Sequence, residues 1–367
     1  MEKINESRND RLETKRKKRN WVLRISLLLI ACLVAGGGLY FWQLYNKFDK
    51  TFHQLGRGDK SELRETAIAN DDPRAFLIMG IDKRSDEEDV GRPDVLMVAT
   101  VNPKDKSMKL LSIPRDTLTY IPTFNVEDKI NHSYSLAESE EEGTGIESTV
   151  KTVERLLNIP IDNYVDVNFH GFVDIVDTLG GVDVNVPRDF RSKAFDGEPW
   201  RYFKKGPAHL DGEDALAYVR MRKEFGDDLG RNERQREVLT KLITKGKDFS
   251  NVTKIDDLVD ALGQNVKMNV SANQLLEFQG LISGISGKDI ETLTLKGKDL
   301  NDGVYYYVLN DGEAERVGNL LRKHLELPPI MHTTTGDQNG AEATEGTGSG
   351  DLEPESADTE AQTEAGQ

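Results

Sequence analysis

The stretch Met108-Lys109-Leu110-Leu111-Ser112-Ile113-Pro114-Arg115-Asp116 decides how this chain folds and where it binds. Its first six residues form an apolar, alternating run, the pattern of a strand. Pro114 has no N–H to give to a ladder, so the strand stops there. An arginine and an aspartate then stand side by side at the strand's carboxyl end. In α/β domains that end of a sheet is where ligands bind. Arginine offers a fixed fork of donors matched to phosphate or carboxylate. A surface turn with a local ion pair accounts for the same residues, so their surroundings must decide.

Upstream, Asp94 to Asn102 is a second apolar run, joined to the first through Asn102-Pro103-Lys104-Asp105, which is turn chemistry. The two runs make a hairpin whose second strand delivers Pro114-Arg115-Asp116. Arg74 to Ile81 reads as a buried strand before them. Downstream, Glu147 to Leu157 has helical spacing, Asn163 to Phe169 alternates, and Phe172 to Leu179 is a helix closed by Gly180-Gly181. Val182 to Val186 alternates again. Residues 187–210 are loop-rich, with Pro187, Gly197, Pro199, Gly206 and Pro207, and they carry Trp200, Tyr202 and Phe203.

Asp211 to Val219 opens as a helix with Asp211 as N-cap, and Arg231 to Lys245 is a clear amphipathic helix. Further helices are predicted over 256–262, 272–282 and 311–324, and strands over 291–295 and 304–309. Interleaved strands and helices make the class α/β, with a mixed central β-sheet flanked by helices on both sides.

The flanks differ from this domain. Residues 1–20 are basic, including Lys15-Arg16-Lys17-Lys18-Arg19. Residues 21–43 read as a membrane span: Trp21 to Trp42 is apolar except for Arg24, about 22 residues, enough to cross a ~30 Å hydrocarbon core. Trp21 at one end and Tyr40, Phe41 and Trp42 at the other suit the two interfaces, and the basic side faces the cytoplasm. A cleaved signal peptide competes with an uncleaved signal-anchor here. The run is long for a signal peptide and aromatics follow the small residues at once, so the expectation is a single-pass type II protein of the cell membrane with its bulk outside. Residues 44–71 read as a stalk, 72–330 as the folded domain and 331–367 as a disordered acidic tail.

Composition narrows the partners. The net charge is -16, which argues against nucleic acid and requires any anionic ligand to be met by local cations. Cys32 is the only cysteine, so neither an intrachain disulfide nor a cysteine zinc site can form. The six histidines lack the H-E-x-x-H spacing.

Polar clusters stand at the ends of the expected elements. Asp82 lies in Gly80-Ile81-Asp82-Lys83-Arg84, and Asp94 in Gly91-Arg92-Pro93-Asp94. Arg115 and Asp116 end the third strand. Arg220, Arg222, Asp227, Asp228, Arg231 and Gln235 flank the junction of two helices. Arg220 and Arg222, in extended chain, point to one side as a two-pronged anion clamp. Arg231 and Gln235 share a helix face at its positive end. Two carboxylates on adjacent strands can share a hard cation with phosphate oxygens. Carboxylates and arginines together suit a pyrophosphate bridged by a metal.

At these residues the chain resembles the LytR–CpsA–Psr family of cell-wall glycopolymer transferases. The resemblance rests on Phe76-Leu77-Ile78-Met79-Gly80-Ile81-Asp82, Gly91-Arg92-Pro93-Asp94, Ser112-Ile113-Pro114-Arg115-Asp116, Lys129-Ile130-Asn131-His132 and Gly180-Gly181-Val182. It continues through Leu210-Asp211-Gly212, Ala217-Tyr218-Val219-Arg220-Met221-Arg222 and Gly230-Arg231-Asn232-Glu233-Arg234-Gln235. It implies an apolar groove for a polyprenyl chain beside the sheet. The implied activity moves an anionic glycopolymer from a lipid-linked polyprenyl-pyrophosphate donor to a peptidoglycan acceptor. By position, Asp82 and Asp94 would hold magnesium, or manganese. Arg84, Arg92, Arg115, Arg220, Arg222, Arg231 and Gln235 would hold the pyrophosphate. Arg115, Asp116, Arg220 and Arg222 would carry the chemistry, with Asp116 either orienting Arg115 or acting as general base. A pyrophosphate hydrolase and a non-catalytic membrane-anchored regulator use the same residues and stay open on sequence.

Overall fold

The computed structural model describes residues 61–64, 68–69, 71–82, 90–221, 228–246, 265–270, 280, 282 and 284–330. The basic tail, the apolar run 21–43 and the acidic tail lie outside them, as do the helix expected over 256–262 and most of that over 272–282. Among the described residues no helix is long and apolar enough to cross a membrane.

The chain lays down β1 (Arg74–Asp82), β2 (Arg92–Asn102) and β3 (Ser107–Ser112), then a short hairpin of β4 (Leu118–Ile121) and β5 (Val126–Lys129). Helices α1 (His132–Glu140) and α2 (Gly145–Leu157) precede β6 (Asn163–Asn168) and α3 (Phe169–Thr178). Strands β7 (Val182–Val186), β8 (Phe190–Ser192), β9 (Arg201–Phe203) and β10 (Gly206–Leu210) lead to α4 (Gly212–Arg220) and α5 (Asp228–Gly246). The remainder is β11 (Val266–Met268), β12 (Ile290–Thr294), β13 (Gly297–Asp302), β14 (Val304–Leu309) and α6 (Glu313–His324).

The central sheet is mixed, in the order β11-β6-β1-β2-β3-β12. Strand β1 pairs antiparallel with β2 and parallel with β6; β3 pairs antiparallel with β2 and parallel with β12. Alternation decides which side chains face which layer. Ala75, Leu77, Met79 and Ile81 of β1, with Leu96, Val98 and Leu111, face Val150, Val153 and Leu157 of α2 and Val317 and Leu321 of α6. Met97, Ala99 and Leu110 point the other way and meet Leu239 of α5. Helices thus cover both faces. Truncating Leu77, fully buried at the centre, costs about 2–5 kcal/mol.

A second core lies under β7–β10, where Val182, Val184 and Val186 pack with Leu216 and Tyr218 of α4 and with Val238 and Leu242 of α5. Helix α5 is therefore apolar on two faces and joins the two cores. Asp211 caps α4 by accepting from the Asp214 N–H at 2.8 Å, as its position predicts. At Gly181 (φ +79°) an added Cβ would lie 2.5 Å from His209 Nε2 and 2.7 Å from the Leu210 carbonyl, so the close β7–β10 approach needs glycine there.

Two segments depart from the expected reading. Residues 187–210 hold three strands instead of a loop. Strands β8 and β9 are three residues each, too short for periodicity to register, and the Phe190 and Phe203 rings stacked at 4.5 Å hold them together. Within the stretch read as stalk, Ser61 is buried and donates to Glu154 Oε1 at 2.6 Å. Arg64 forks onto Asp162 through Nε at 3.0 Å and Nη2 at 2.8 Å.

Candidate functional site

The sheet's directions gather the polar clusters. Strands β1, β3 and β6 run one way and β2 runs against them. The carboxyl ends of β1, β3 and β6 therefore share an edge with the start of β2. Asp82, at the end of β1, faces Arg92 across the ladder. Gly80 pairs with Val95 and Ile81 with Pro93, so Asp94 is the extra residue of a β-bulge, which re-aims its side chain. A Cβ on Gly80 would sit 3.0 Å from the Val95 Cβ, so the bulge depends on a missing side chain.

Past β3 the chain turns at Pro114, where Thr117 donates to the Pro114 carbonyl from its N–H at 3.0 Å and its hydroxyl at 2.6 Å. Three other N–H groups pin the turn: Asn131 to the Arg115 carbonyl at 3.2 Å, Ile130 to the Thr117 carbonyl at 2.8 Å, and Tyr307 to the Asp116 carbonyl at 2.9 Å. Arg115 and Asp116 thus project from a backbone with little freedom. Their side chains form an alternating row. Arg115 Nη1 pairs with Asp94 Oδ1, and Arg115 Nε lies 3.2 Å from Asp116 Oδ2. Lys129 Nζ lies 2.8 Å from Asp116 Oδ1. Asp116 is 7% exposed, with one oxygen on Arg115 and the other on Lys129. That arrangement suits a carboxylate that positions cations better than one that takes a proton from a substrate.

Arg220 reaches the same edge by another route. It is the last residue of α4. Its expected partner prong Arg222 lies outside the described residues, as does Arg84. The Arg220 guanidinium lies 4.6 Å from the centroid of Phe169, the residue directly after β6, and donates to the Ala194 carbonyl. Helix α5 runs against β3: Ile243 packs with Val101 and Met108, Leu239 with Leu110, and Arg236 Nη1 meets Ser112 Oγ at 3.4 Å. Its amino end, the positive pole, therefore extends past the carboxyl end of β3. Arg231, 3% exposed, lies on that end, about 7.5 Å along the axis from Arg236. Gln235, half-buried, is on the following turn. Arg92 is exposed.

Sequence reasoning passed over Lys129 and Arg236. Lys129 stood in a quoted block with no role attached; Leu118 pairs with it in the β4–β5 hairpin, and that pairing brings it to Asp116. Nothing in the spacing of Arg236 pointed to Ser112. Among the described residues no group of three or more His, Cys, Asp or Glu side chains could hold a metal ion. The pair Asp82 and Asp94, hard oxygen donors at neighbouring strand ends, fits magnesium's habit of one or two carboxylates completed by phosphate oxygens.

The LytR_cpsA_psr family model matches residues 39–323. The polyisoprenyl-teichoic acid–peptidoglycan teichoic acid transferase TagV of Bacillus subtilis is 41% identical over 85% of this chain and 81% of its own length. The crystal structure of B. subtilis TagV aligns with a TM-score of 0.61 at 42% identity, covering 71% of this chain and 99% of that one. The family protein YwtF (TagT), solved with octaprenyl pyrophosphate lipid bound, aligns with a TM-score of 0.58 at 33% identity, over 74% of this chain and 99% of its own. Matched in this way over most of its length, the chain belongs to the LytR–CpsA–Psr family.

Proposed function

We propose that this protein transfers an anionic glycopolymer, wall teichoic acid, from a polyprenyl-pyrophosphate carrier to peptidoglycan and releases polyprenyl phosphate. The single observation that carries the reading is the row Asp94–Arg115–Asp116–Lys129 on the edge that also receives Arg220 and the amino end of α5. The transferase name of TagV and the octaprenyl pyrophosphate bound to TagT support it.

In the proposed reaction an acceptor hydroxyl oxygen attacks the phosphorus that bears the glycan. The bond from that phosphorus to the bridging oxygen breaks, and polyprenyl phosphate leaves with the bond's electron pair. The hydroxyl proton passes to a base or to water. Charge builds on phosphate oxygens, so catalysis is mainly positioning and neutralisation. Arg115, fixed by Asp94 and Asp116, presents its fork to the pyrophosphate, with Arg220 and Arg231 on its flanks and Gln235 and Arg92 as further donors. Arg84 and Arg222 join them on the strength of the family resemblance. Magnesium, held by Asp82 and Asp94, would supply charge neutralisation across the two phosphates. Asp116 positions Arg115. An apolar groove beside the sheet takes the polyprenyl chain, and residues 21–43 anchor the enzyme in the membrane that holds this donor, which raises their effective concentration.

The test is a purified transfer assay with lipid-linked donor, with and without peptidoglycan and with and without chelator. Product joined to peptidoglycan, lost in Arg115→Ala and on chelation, is expected. Release of free polymer with water as the only acceptor would make the protein a hydrolase. Full transfer by Arg115→Ala would remove the site.

A further inference from the structure

The β8–β9 ribbon has two unlike faces. Inward, Phe190 stacks on Phe203 and both approach Tyr218 at about 6 Å between centroids; Ser192 is buried. Arg201 turns back to pair with Asp214 at 2.7 Å and with Glu213. Outward stand Arg191 and, across the ladder from it, Tyr202. Trp200 is next to them, with the Arg191 guanidinium 4.7 Å and the Lys193 ammonium 5.2 Å from its ring. Tyr202 is 75% exposed and Trp200 48%. A fold that buries Phe190 and Phe203 leaves these two rings in water, so packing does not account for them.

The ribbon's charge departs from that of the chain. Between Arg188 and Lys205 there are six Lys or Arg against three Asp or Glu, in a protein of net charge -16. The ribbon also touches the site already described. The strap that leaves β8 gives its Ala194 carbonyl to Arg220, sets Asp196 Oδ1 4.0 Å from Arg220 Nη2, and stacks Phe195 on His170 at 4.8 Å.

The geometry points to a second subsite: the outer face of the β8–β9 ribbon, through Arg191, Lys193, Trp200 and Tyr202, holds the phosphodiester-linked polyol or sugar chain of the donor as it leaves the pyrophosphate site. This rests on reading that site as a donor clamp. A polymer that alternates phosphates with polyol or sugar units needs cations interleaved with flat apolar surfaces, and the ribbon supplies that alternation. An anionic lipid surface would also attract the cations. Exposed tryptophan and tyrosine suit a bilayer interface as well, so what favours the polymer is the strap's link from the ribbon to Arg220 of the donor clamp, and the vesicle arm of the experiment tests the lipid surface.

The experiment uses the full chain in detergent micelles and three probes: lipid-free poly(glycerol phosphate), a polyprenyl pyrophosphate without glycan, and phosphatidylglycerol vesicles. Two double variants, Arg191→Gln with Lys193→Gln and Trp200→Ala with Tyr202→Ala, change exposed or half-exposed side chains, and thermal melts check that both fold. Each is expected to weaken poly(glycerol phosphate) binding about tenfold, with polyprenyl pyrophosphate affinity unchanged. The charge variant should also flatten the salt dependence of polymer binding. Equal polymer affinity in wild type and both variants would overturn the proposal. So would a loss confined to the vesicles, which would make the ribbon a membrane contact. Failure of the wild type to bind polyprenyl pyrophosphate shows in its own arm and counts against the donor clamp, not against polymer binding by the ribbon.

Discussion

Lys129 is the residue on which the site's rigidity can be measured. Its ammonium lies 2.8 Å from Asp116 Oδ1, with side-chain exposures of 16% and 10% for the two partners. It also lies 5.9 Å and 5.6 Å from the ring centroids of Tyr305 and Tyr306. Breaking a fully buried ion pair costs about 3–5 kcal/mol because a charge is left unpaired. Here Arg115 Nε remains 3.2 Å from the other Asp116 oxygen and some water reaches the pair, so the ionic part is worth about 1–3 kcal/mol. The ring contacts add about 0.5–1 kcal/mol each, and these survive a change at Asp116.

A double-mutant cycle separates the two parts. Lys129→Met, Asp116→Asn and the double variant are compared by urea denaturation, and the coupling term isolates the pair. The expected coupling is about 1–3 kcal/mol. In the transfer assay Lys129→Met should lower kcat about tenfold, because a loosened Asp116 no longer fixes Arg115, while the KM for donor changes little. A coupling near zero with normal kcat would show that the tyrosine rings alone hold Lys129 and that Asp116 is not pinned as described.

Arg220→Lys keeps the charge but loses the fork that meets the Ala194 carbonyl and the stack on Phe169; transfer should fall about 10- to 100-fold with thermal stability nearly unchanged. Glu154 Oε1 accepts from both the Ser61 hydroxyl at 2.6 Å and the Ile161 N–H at 2.9 Å, so Glu154→Ala should cost about 2–3 kcal/mol in denaturation, and Ser61→Ala less. Burial, with Lys109 nearby, lowers the pKa of His324 to about 4, with its ring nitrogens on Thr100 at 2.7 Å and Ser107 at 2.9 Å; the unfolded chain takes that proton first, so His324 favours folding above about pH 6.5 and the benefit is lost as pH falls toward 4. Burial pushes Asp166 the other way, to about 7, so its contribution is full below about pH 4 and is lost as pH rises through 7. Between about pH 4 and 6.5 the two effects oppose each other, so melting temperature should rise with pH in Asp166→Asn and fall with pH in His324→Asn.

The β1–β3 sheet and its flanking helices were legible because period-2 and period-3.6 patterns run long enough there to register. The stop at Pro114, two residues past the end of β3, was legible too, because a missing N–H is local chemistry. The bulge at Asp94 was not, because it depends on Gly80 facing Val95 across another strand. Lys129 was missed because its partner is set by hairpin register. The rings of 200–203 carried no strand signal at all; only the pairing of Arg191 with Tyr202 separates Phe203, which is buried, from Tyr202, which is not.

An acidic chain that handles an anionic donor must gather cations without letting them repel each other when the site is empty. Here Arg115 and Lys129 alternate with Asp94 and Asp116, so the row is close to neutral and needs no ligand to stay folded. Arg220 is steadied differently, by a carbonyl, a ring and the exposed carboxylate of Asp196 at 4.0 Å, and keeps more of its charge uncompensated. The row is therefore ordered before substrate arrives, which lowers the entropy lost on binding. It also demands much of the ligand. To draw the Arg115 fork away from two carboxylates, a ligand must offer several phosphate oxygens at once, which a pyrophosphate can do and a lone phosphodiester along the polymer cannot. On the proposed function, the same edge would grip the donor's reactive end firmly while the rest of the polymer slides over weaker contacts.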